Sequence, residues 1–270
     1  MARLRGWVLG AAVVLAALTP ALFAIAALGV RFGLLSFKFG FATLAMGIGP
    51  LLALAGLAVG ALALALALAV RPRKGAVVAL ASFLVPLFAL GGLMGVRQQA
   101  AAYPPIHDIS TDRANPPAFS EALRAEREAS GANSLDLLAK RVPAIGRFGA
   151  AEGRLSLELQ AEAYPDVTPL PIGLPAQPAY DLALKTARDL GWRITREDPR
   201  GLTFEAQERS LWFGFTDDIV VRVTPGGDGS VIDIRSVSRV GVSDLGVNAA
   251  RIRAFSQALI GKLERAGAAA

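Results

Sequence analysis

Three stretches of this 270-residue chain carry no charged residue: 24 residues from Trp7 to Val30, 30 from Phe41 to Val70 and 22 from Gly75 to Val96. A bilayer core of about 30 Å needs about 20 helical residues at a rise of about 1.5 Å each, so every one of them is long enough to span it. The chain is 53% hydrophobic, above the roughly 45–50% of soluble domains, and these stretches hold the excess. The middle one is over-long and must tilt, kink at Pro50 or begin in the interface. Behind Arg3 and Arg5 the first resembles a secretion signal, with Ala24-Ile25-Ala26 as a small-residue cleavage site. Its apolar run reaches Val30, past the roughly 7–15 residues of a cleaved signal, so a retained anchor is expected.

No Asp, Glu, Lys, Arg or His lies inside the three stretches. Proton relays and ion pathways within membranes are built from such groups, so the bundle reads as an anchor and not a transporter. Gly56 to Gly60 and Gly91 to Gly95 fit the small-xxx-small pattern of close helix contact, expected to serve packing within the chain.

All 22 acidic residues lie at or after Asp108, whereas the first 97 residues contribute only Arg3, Arg5, Arg31, Lys38, Arg71, Arg73, Lys74 and Arg97. The net charge of +6 and the basic pI near 10.1 therefore come from residues that flank spans, and nucleic acid is not an expected partner. Arg3, Arg5, Arg71, Arg73 and Lys74 fall on one side and Arg31, Lys38 and Arg97 on the other. That asymmetry favours a cytoplasmic N-terminus. Three spans then put everything after Arg97 outside the bacterial inner membrane, in the periplasm. Arginine outnumbers lysine 23 to 5, a composition of GC-rich bacterial genomes. The chain has no cysteine and a single histidine, which excludes disulfides and thiolate metal sites; neither a metal nor a cofactor is expected.

The expected organisation is a transmembrane region over residues 1–97 (spans about 7–30, 41–70 and 75–96), a Pro-rich wrapping arm over 98–175 and an α+β core over 176–270. The arm holds Pro104-Pro105, Pro116-Pro117, Pro165, Pro169 and Pro171, with helices expected around Ser120–Ser130 and Leu155–Ala163. In the core, Ala179, Leu182, Ala183, Thr186 and Leu190 recur at helical spacing, with Gly191 as a C-terminal stop. Trp192–Arg196, Leu202–Glu208, Ile219–Thr224 and Val231–Val237 alternate apolar with polar residues as half-buried strands do. Ser243 is the expected cap of a final helix with Leu245, Ala249, Ile252, Phe255, Leu259 and Leu263 on one face. The expected fold is thus a membrane α-helical anchor of three spans plus an α+β domain, α-β-β-β-β-α, its four-stranded antiparallel sheet covered by two helices on one face.

The turn Pro225-Gly226-Gly227-Asp228-Gly229 sets a register in which Val223 opposes Ile232 and Arg222 opposes Asp233. Arg222, Asp233 and Arg235, with Glu205 beside them, then share the open sheet face. That face is read either as a solvated surface laced with ion pairs or as a docking surface for a partner or for the arm.

Few residues invite chemistry. Adjacent strand residues point to opposite faces, so Asp217-Asp218 is rejected as a catalytic dyad. His107-Asp108 suffers the same objection, and His107 reads as a turn or packing residue. The densest polar cluster runs from Arg235 to Arg251. Asp244, Asn248 and Arg251, at i, i+4 and i+7, are expected on one helix face, with Ser236, Ser238 and Asp217 at the neighbouring end of the sheet and Arg239 able to assist an anion at the helix N-terminus. These groups either satisfy one another or bind a ligand. Secondary candidates are His107, Asp108, Arg222, Asp233 and Arg235.

The run Arg235–Arg251, Phe213-Gly214-Phe215-Thr216-Asp217-Asp218 before it, His107-Asp108-Ile109-Ser110-Thr111-Asp112 and Pro116-Pro117 upstream, and Tyr164-Pro165-Asp166 between them resemble the bacterial and plastid family called domain of unknown function 1499. The resemblance covers most of residues 103–270, and the membrane region is similar to that of proteobacterial members with several spans. It implies an envelope setting and a domain beginning near Tyr103, and it brings no activity, cofactor or catalytic residue with it. The expected function is a membrane-anchored envelope protein whose extracytoplasmic domain is a binding or assembly module. The alternative is an envelope hydrolase using Asp and Arg groups with His107. Expected partners are the lipid bilayer and either an envelope protein or a small anionic ligand.

Overall fold

The uncharged stretches form three helices long and apolar enough to cross a membrane: Ala2–Arg31, Lys38–Ala69 and Ala76–Ala102. In the computed structural model, which describes residues 1–265 and 267, they are α1 (Ala2–Arg31), a π-helical segment (Lys38–Ile48) continuing into α2 (Gly49–Ala69), and α3 (Ala76–Ala102). Pro50 stands where the π-helical segment gives way to α2, and it has no N–H to donate to the turn before it. The over-long second stretch thus changes helix type just before Pro50.

Arg5 Nη1 donates to the carbonyls of Val70 and Pro72 at 3.0 and 2.7 Å, so the start of α1 and the α2–α3 loop share one end of the bundle. Gly60 admits the close approach of α3: a Cβ there would lie 2.9 Å from Phe83 Cα and 2.9 Å from the Ser82 carbonyl oxygen. Gly56 faces the Pro86 ring, whereas a Cβ at Gly91 or Gly95 would meet nothing within 4 Å. Only the first of the two small-residue pairs packs within this chain.

The chain divides into two units, Met1–Gln99 with Ser210–Gly214, and Ala100–Arg209 with Phe215–Ala270. The second contains β1 (Asp108–Ser110), α4 (Glu121–Ala129), α5 (Ser156–Ala163), β2 (Leu170–Ile172), α6 (Ala176–Asp189), β3 (Arg193–Asp198), β4 (Thr203–Arg209), β5 (Thr216–Gly226), β6 (Gly229–Ser238) and α7 (Val247–Arg265). The last residues of the expected 176–270 core, 266 and 268–270, lie outside the described residues.

The sheet has six strands where four were expected. Its order is β1-β6-β5-β4-β3, with β2 also on β6, and every pairing is antiparallel. Val223 opposes Ile232 and Arg222 opposes Asp233, the register set by the Pro225–Gly229 turn. The two additional strands are three-residue pieces of the arm, and they close the edge that β6 would otherwise leave unpaired. Leu170–Ile172 pairs with Ser230–Ile232, and Asp108–Ser110 with Arg235–Val237. Thr111 fills the interval, its N–H donating to the Ile234 carbonyl and its hydroxyl accepting from the Ile234 N–H, both at 2.9 Å. Gly229 lets β2 pass: a Cβ there would stand 2.1 Å from the Ile172 carbonyl oxygen.

On one sheet face Phe204, Ala206, Ile219, Val221, Val223, Ile232 and Ile234 pack against α6 and α7 to form the main core. Trp192 stacks on Phe255 within it, ring centres 5.1 Å apart. Of the two readings of the other face, a solvated surface or a docking surface for a partner or for the arm, the structure shows the arm docked. Glu205, Gln207, Asp218, Asp233 and Arg235 are all buried there. The cover is the arm, whose Phe119, Leu123 and Leu135 pack on Val220 and Val237.

Candidate functional site

Strand parity divides the polar residues of β5 and β6 into two sets. Asp217, Ser236 and Ser238 point toward α7; Asp218, Arg222, Asp233, Arg235 and Arg239 point toward the arm. The sequence-expected cluster is therefore split. Ser236, Ser238, Asn248, Arg251 and Asp217 come together beneath the start of α7, while Arg239 belongs to the opposite face and Asp244 precedes the helix.

Asn248 is the hub of the α7 cluster. Its Oδ1 accepts from Ser236 Oγ at 2.7 Å and from Arg251 Nη1, and its Nδ2 donates to the His107 carbonyl at 3.0 Å and to Ser238 Oγ at 3.2 Å. A side-chain amide has two donor hydrogens and two acceptor lone pairs, and all four are used. Arg251 further donates to Ser236 Oγ at 2.9 Å and to Asp217 Oδ2 at 2.7 Å, and its Nε bonds to Glu208. Asp244 does not share their helix face, because α7 begins only at Val247. Its carboxylate instead takes the N–H groups of Gly246 at 2.8 Å and Asn248 at 3.1 Å, and the expected cap, Ser243, bonds the Leu245 N–H. Burial pushes the Asp244 carboxyl up to about 6, against the two N–H bonds that favour its charged form.

Beneath the arm, Asp218 accepts from Arg239 Nε and Nη2, both at 2.8 Å, from Gln207 Nε2 at 2.9 Å and from Arg127 Nη1. Asp217 and Asp218 thus serve different arginines on opposite faces. Arg235 reaches Asp108 through Nε and Nη2, at 2.9 and 2.8 Å, a forked pair that ties β6 to β1. Arg222 Nη2 bridges Asp233 at 2.9 Å and Asp112 at 3.0 Å. Glu205 caps α4 from below, bonding the Ser120 N–H and, at 2.9 Å, the Ser120 hydroxyl.

His107 lies at the junction of the two sets. Its Nδ1 is 3.0 Å from the Val242 carbonyl, which can only accept, so the proton sits on Nδ1 and Nε2 accepts from Lys140 Nζ at 3.0 Å. Burial first, and the Lys140 charge second, lower its pKa from 6.5 to about 4. The imidazole is neutral and both nitrogens are engaged. Lys140 is itself lowered by burial.

Sequence reasoning did not single out Arg127, Gln207, Gln160 or Lys140. Arg127 follows Leu123 by four residues on α4, so it shares that helix's one apolar stripe; the spacing was there to read. Gln160 carried no such signal. Its amide pairs both ways with the Ser110 backbone, accepting at 3.2 Å and donating at 2.6 Å, as a further sheet strand would.

Among the described residues no group of three or more His, Asp or Glu side chains is placed to hold a metal ion. A recess of about 100 Å3 opens where Ala118–Ser120 meets Arg196, Thr203, Glu205 and Val220. Small-molecule sites typically occupy roughly 300–1,000 Å3.

The model of a protein family described as protein of unknown function (DUF1499) matches residues 108–259, more than half of the chain. The chain belongs to this family. The DUF1499 match begins at Asp108, the first residue of β1, and ends within α7. It therefore takes in both ionic clusters and the arm that covers one of them, and it leaves out the apolar helices. No curated protein matches the sequence.

Proposed function

We propose that this DUF1499 protein is a membrane-anchored module of the bacterial envelope. Its extramembrane domain stands on the periplasmic side of the inner membrane and binds or assembles with an envelope protein or a small anionic ligand; it does not catalyse a reaction. The observation that supports this reading best is the saturation of the side chain at the centre of each polar cluster. Asn248 and Asp218 have every hydrogen-bonding position of their side chains occupied from within the domain. Nucleophilic or acid–base catalysis needs a group with a free position facing substrate. The charge-free stretches 7–30, 41–70 and 75–96 within the three apolar helices support an anchor in the same way.

A hydrolase built on His107 would need Nε2 free to take a proton from a hydroxyl or a water, and Lys140 holds that nitrogen.

The chain has no cysteine, so single-cysteine variants report location without background. Asp228→Cys, in the exposed β5–β6 turn, is expected to react with a membrane-impermeant maleimide in intact spheroplasts, and Arg73→Cys only after permeabilisation. The reverse pattern would overturn the periplasmic placement. A photoreactive residue at exposed positions such as Arg200 is expected to give a discrete adduct in cells, and no adduct at any surface position would overturn the binding role.

A further inference from the structure

The connections between the last four strands differ in kind. β3 passes to β4 through Pro199, Arg200, Gly201 and Leu202, whose apolar side chain packs against the core, and β5 to β6 through Gly227 and Asp228; the residues these turns leave exposed suit water. Between β4 and β5 runs Ser210-Leu211-Trp212-Phe213-Gly214, in which Leu211 is 74% and Trp212 72% exposed. Two adjacent large apolar side chains held this far out of a core call for an apolar surrounding.

The stretch Ser210–Gly214 belongs to the unit of the apolar helices. Arg31, at the end of α1 opposite Arg5, donates through Nη1 to the Ser210 carbonyl at 3.1 Å and to that of Leu211. The Phe213 ring meets Phe41 edge-on with centres 5.1 Å apart, and Phe41 stacks on Phe37 at 5.3 Å. Phe32 and Leu34, which follow α1 directly, are likewise exposed. Aromatic rings and an arginine gathered at the end of a spanning helix are the composition of the membrane–water interface, where tryptophan is enriched. Backbone carbonyls that leave water need a partner, and Arg31 supplies it for two of them.

We propose that Leu211 and Trp212 enter the headgroup region of the bilayer that α1–α3 cross, making the β4–β5 connection a second, interfacial membrane contact. This rests on the membrane reading of the helices. The chain has three tryptophans: Trp7 near the start of α1, Trp192 buried against Phe255, and Trp212. The whole protein, reconstituted alone into phosphatidylethanolamine/phosphatidylglycerol vesicles, is compared as parent, Trp7→Phe, Trp212→Phe and the double variant, with lipids brominated or spin-labelled either near the headgroup or deep in the acyl chain. The emission present in Trp7→Phe and absent from the double variant belongs to Trp212. It is expected to be blue-shifted, to lose its larger part to the shallow quencher and to resist aqueous iodide. Quenching of Trp7 by lipid with Trp212 open to iodide and untouched by lipid would overturn the interfacial contact and leave the spans standing. Failure of both tryptophans to respond to lipid would overturn the membrane reading as well.

Discussion

Arg235 grips Asp108 through two parallel hydrogen bonds, 2.9 and 2.8 Å long, with the carboxylate wholly buried. The pair joins the centre of β6 to the first strand of the arm. Removing one member leaves a buried charge unpaired, so Asp108→Ala is expected to cost about 3–5 kcal/mol. The double replacement Asp108→Leu with Arg235→Met should cost distinctly less than either single change. Denaturant unfolding of the full chain in detergent micelles checks both; a double variant whose loss equals the sum of the two single losses would refute the pairing.

Asn248 holds four partners, drawn from β6, α7 and the segment that leads into β1. Asn248→Ala strands the Ser236 and Ser238 hydroxyls, Arg251 and the His107 carbonyl, and a loss of about 2 kcal/mol or more is expected, as for other broken buried networks. Arg239→Ala and Arg251→Ala act on opposite faces of the sheet, through Asp218 and Asp217, so their losses should add when combined. Unchanged or raised stability in the Asn248 variant would mean that the cluster is kept for a purpose other than folding, and ligand screening would begin there.

His107 and Asp244 make opposing contributions to the pH dependence of stability. The folded pKa of His107, about 4, is below its ordinary 6.5; on acidification the unfolded chain takes up this proton first, and stability falls across that window. Asp244 is raised from 3.8 to about 6; here the folded chain takes up the proton first, and stability grows across its window. Asp244→Asn removes the gain, so between about pH 7 and about pH 4 it should lose more stability than the parent, whereas His107→Gln should lose less. Denaturation midpoints across that range test the signs; three parallel profiles would refute both assignments.

Gly60 lies against the backbone of α3 at Ser82 and Phe83. Gly60→Leu is expected to force α2 and α3 apart and lower the melting temperature in micelles. Gly91→Leu and Gly95→Leu, where a Cβ meets nothing within 4 Å, should leave it unchanged unless those glycines face a partner helix, which native gel mobility would report.

The β5–β6 register could be read from the sequence because a short turn and two alternating strands fix it locally. The uncharged spans were equally plain, since length and charge are properties of the residues themselves. β1 and β2 were not legible: three residues cannot show a period, Pro171 argues against a strand, and the partner of Asp108 is Val237, distant in sequence. The same sequence distance left two readings of the second face open, since its alternation looks alike whether water or an arm lies above it. Arg239 was a different kind of miss. Counting by twos from Asp233 through Arg235 and Val237 puts it on the arm face, but its nearness in sequence to Ser238 and Asp244 drew it into their cluster.

Because two pieces of the arm and Thr111 together occupy the outer edge of β6, the shortest independently soluble fragment must begin before Asp108. A fragment starting at Ala176 would keep both sheet-packing helices and all four long strands, yet it would bare a ten-residue strand along one side. Such an edge recruits strands from other copies, and this fragment should gather into aggregates while one beginning near Ala100 stays dispersed.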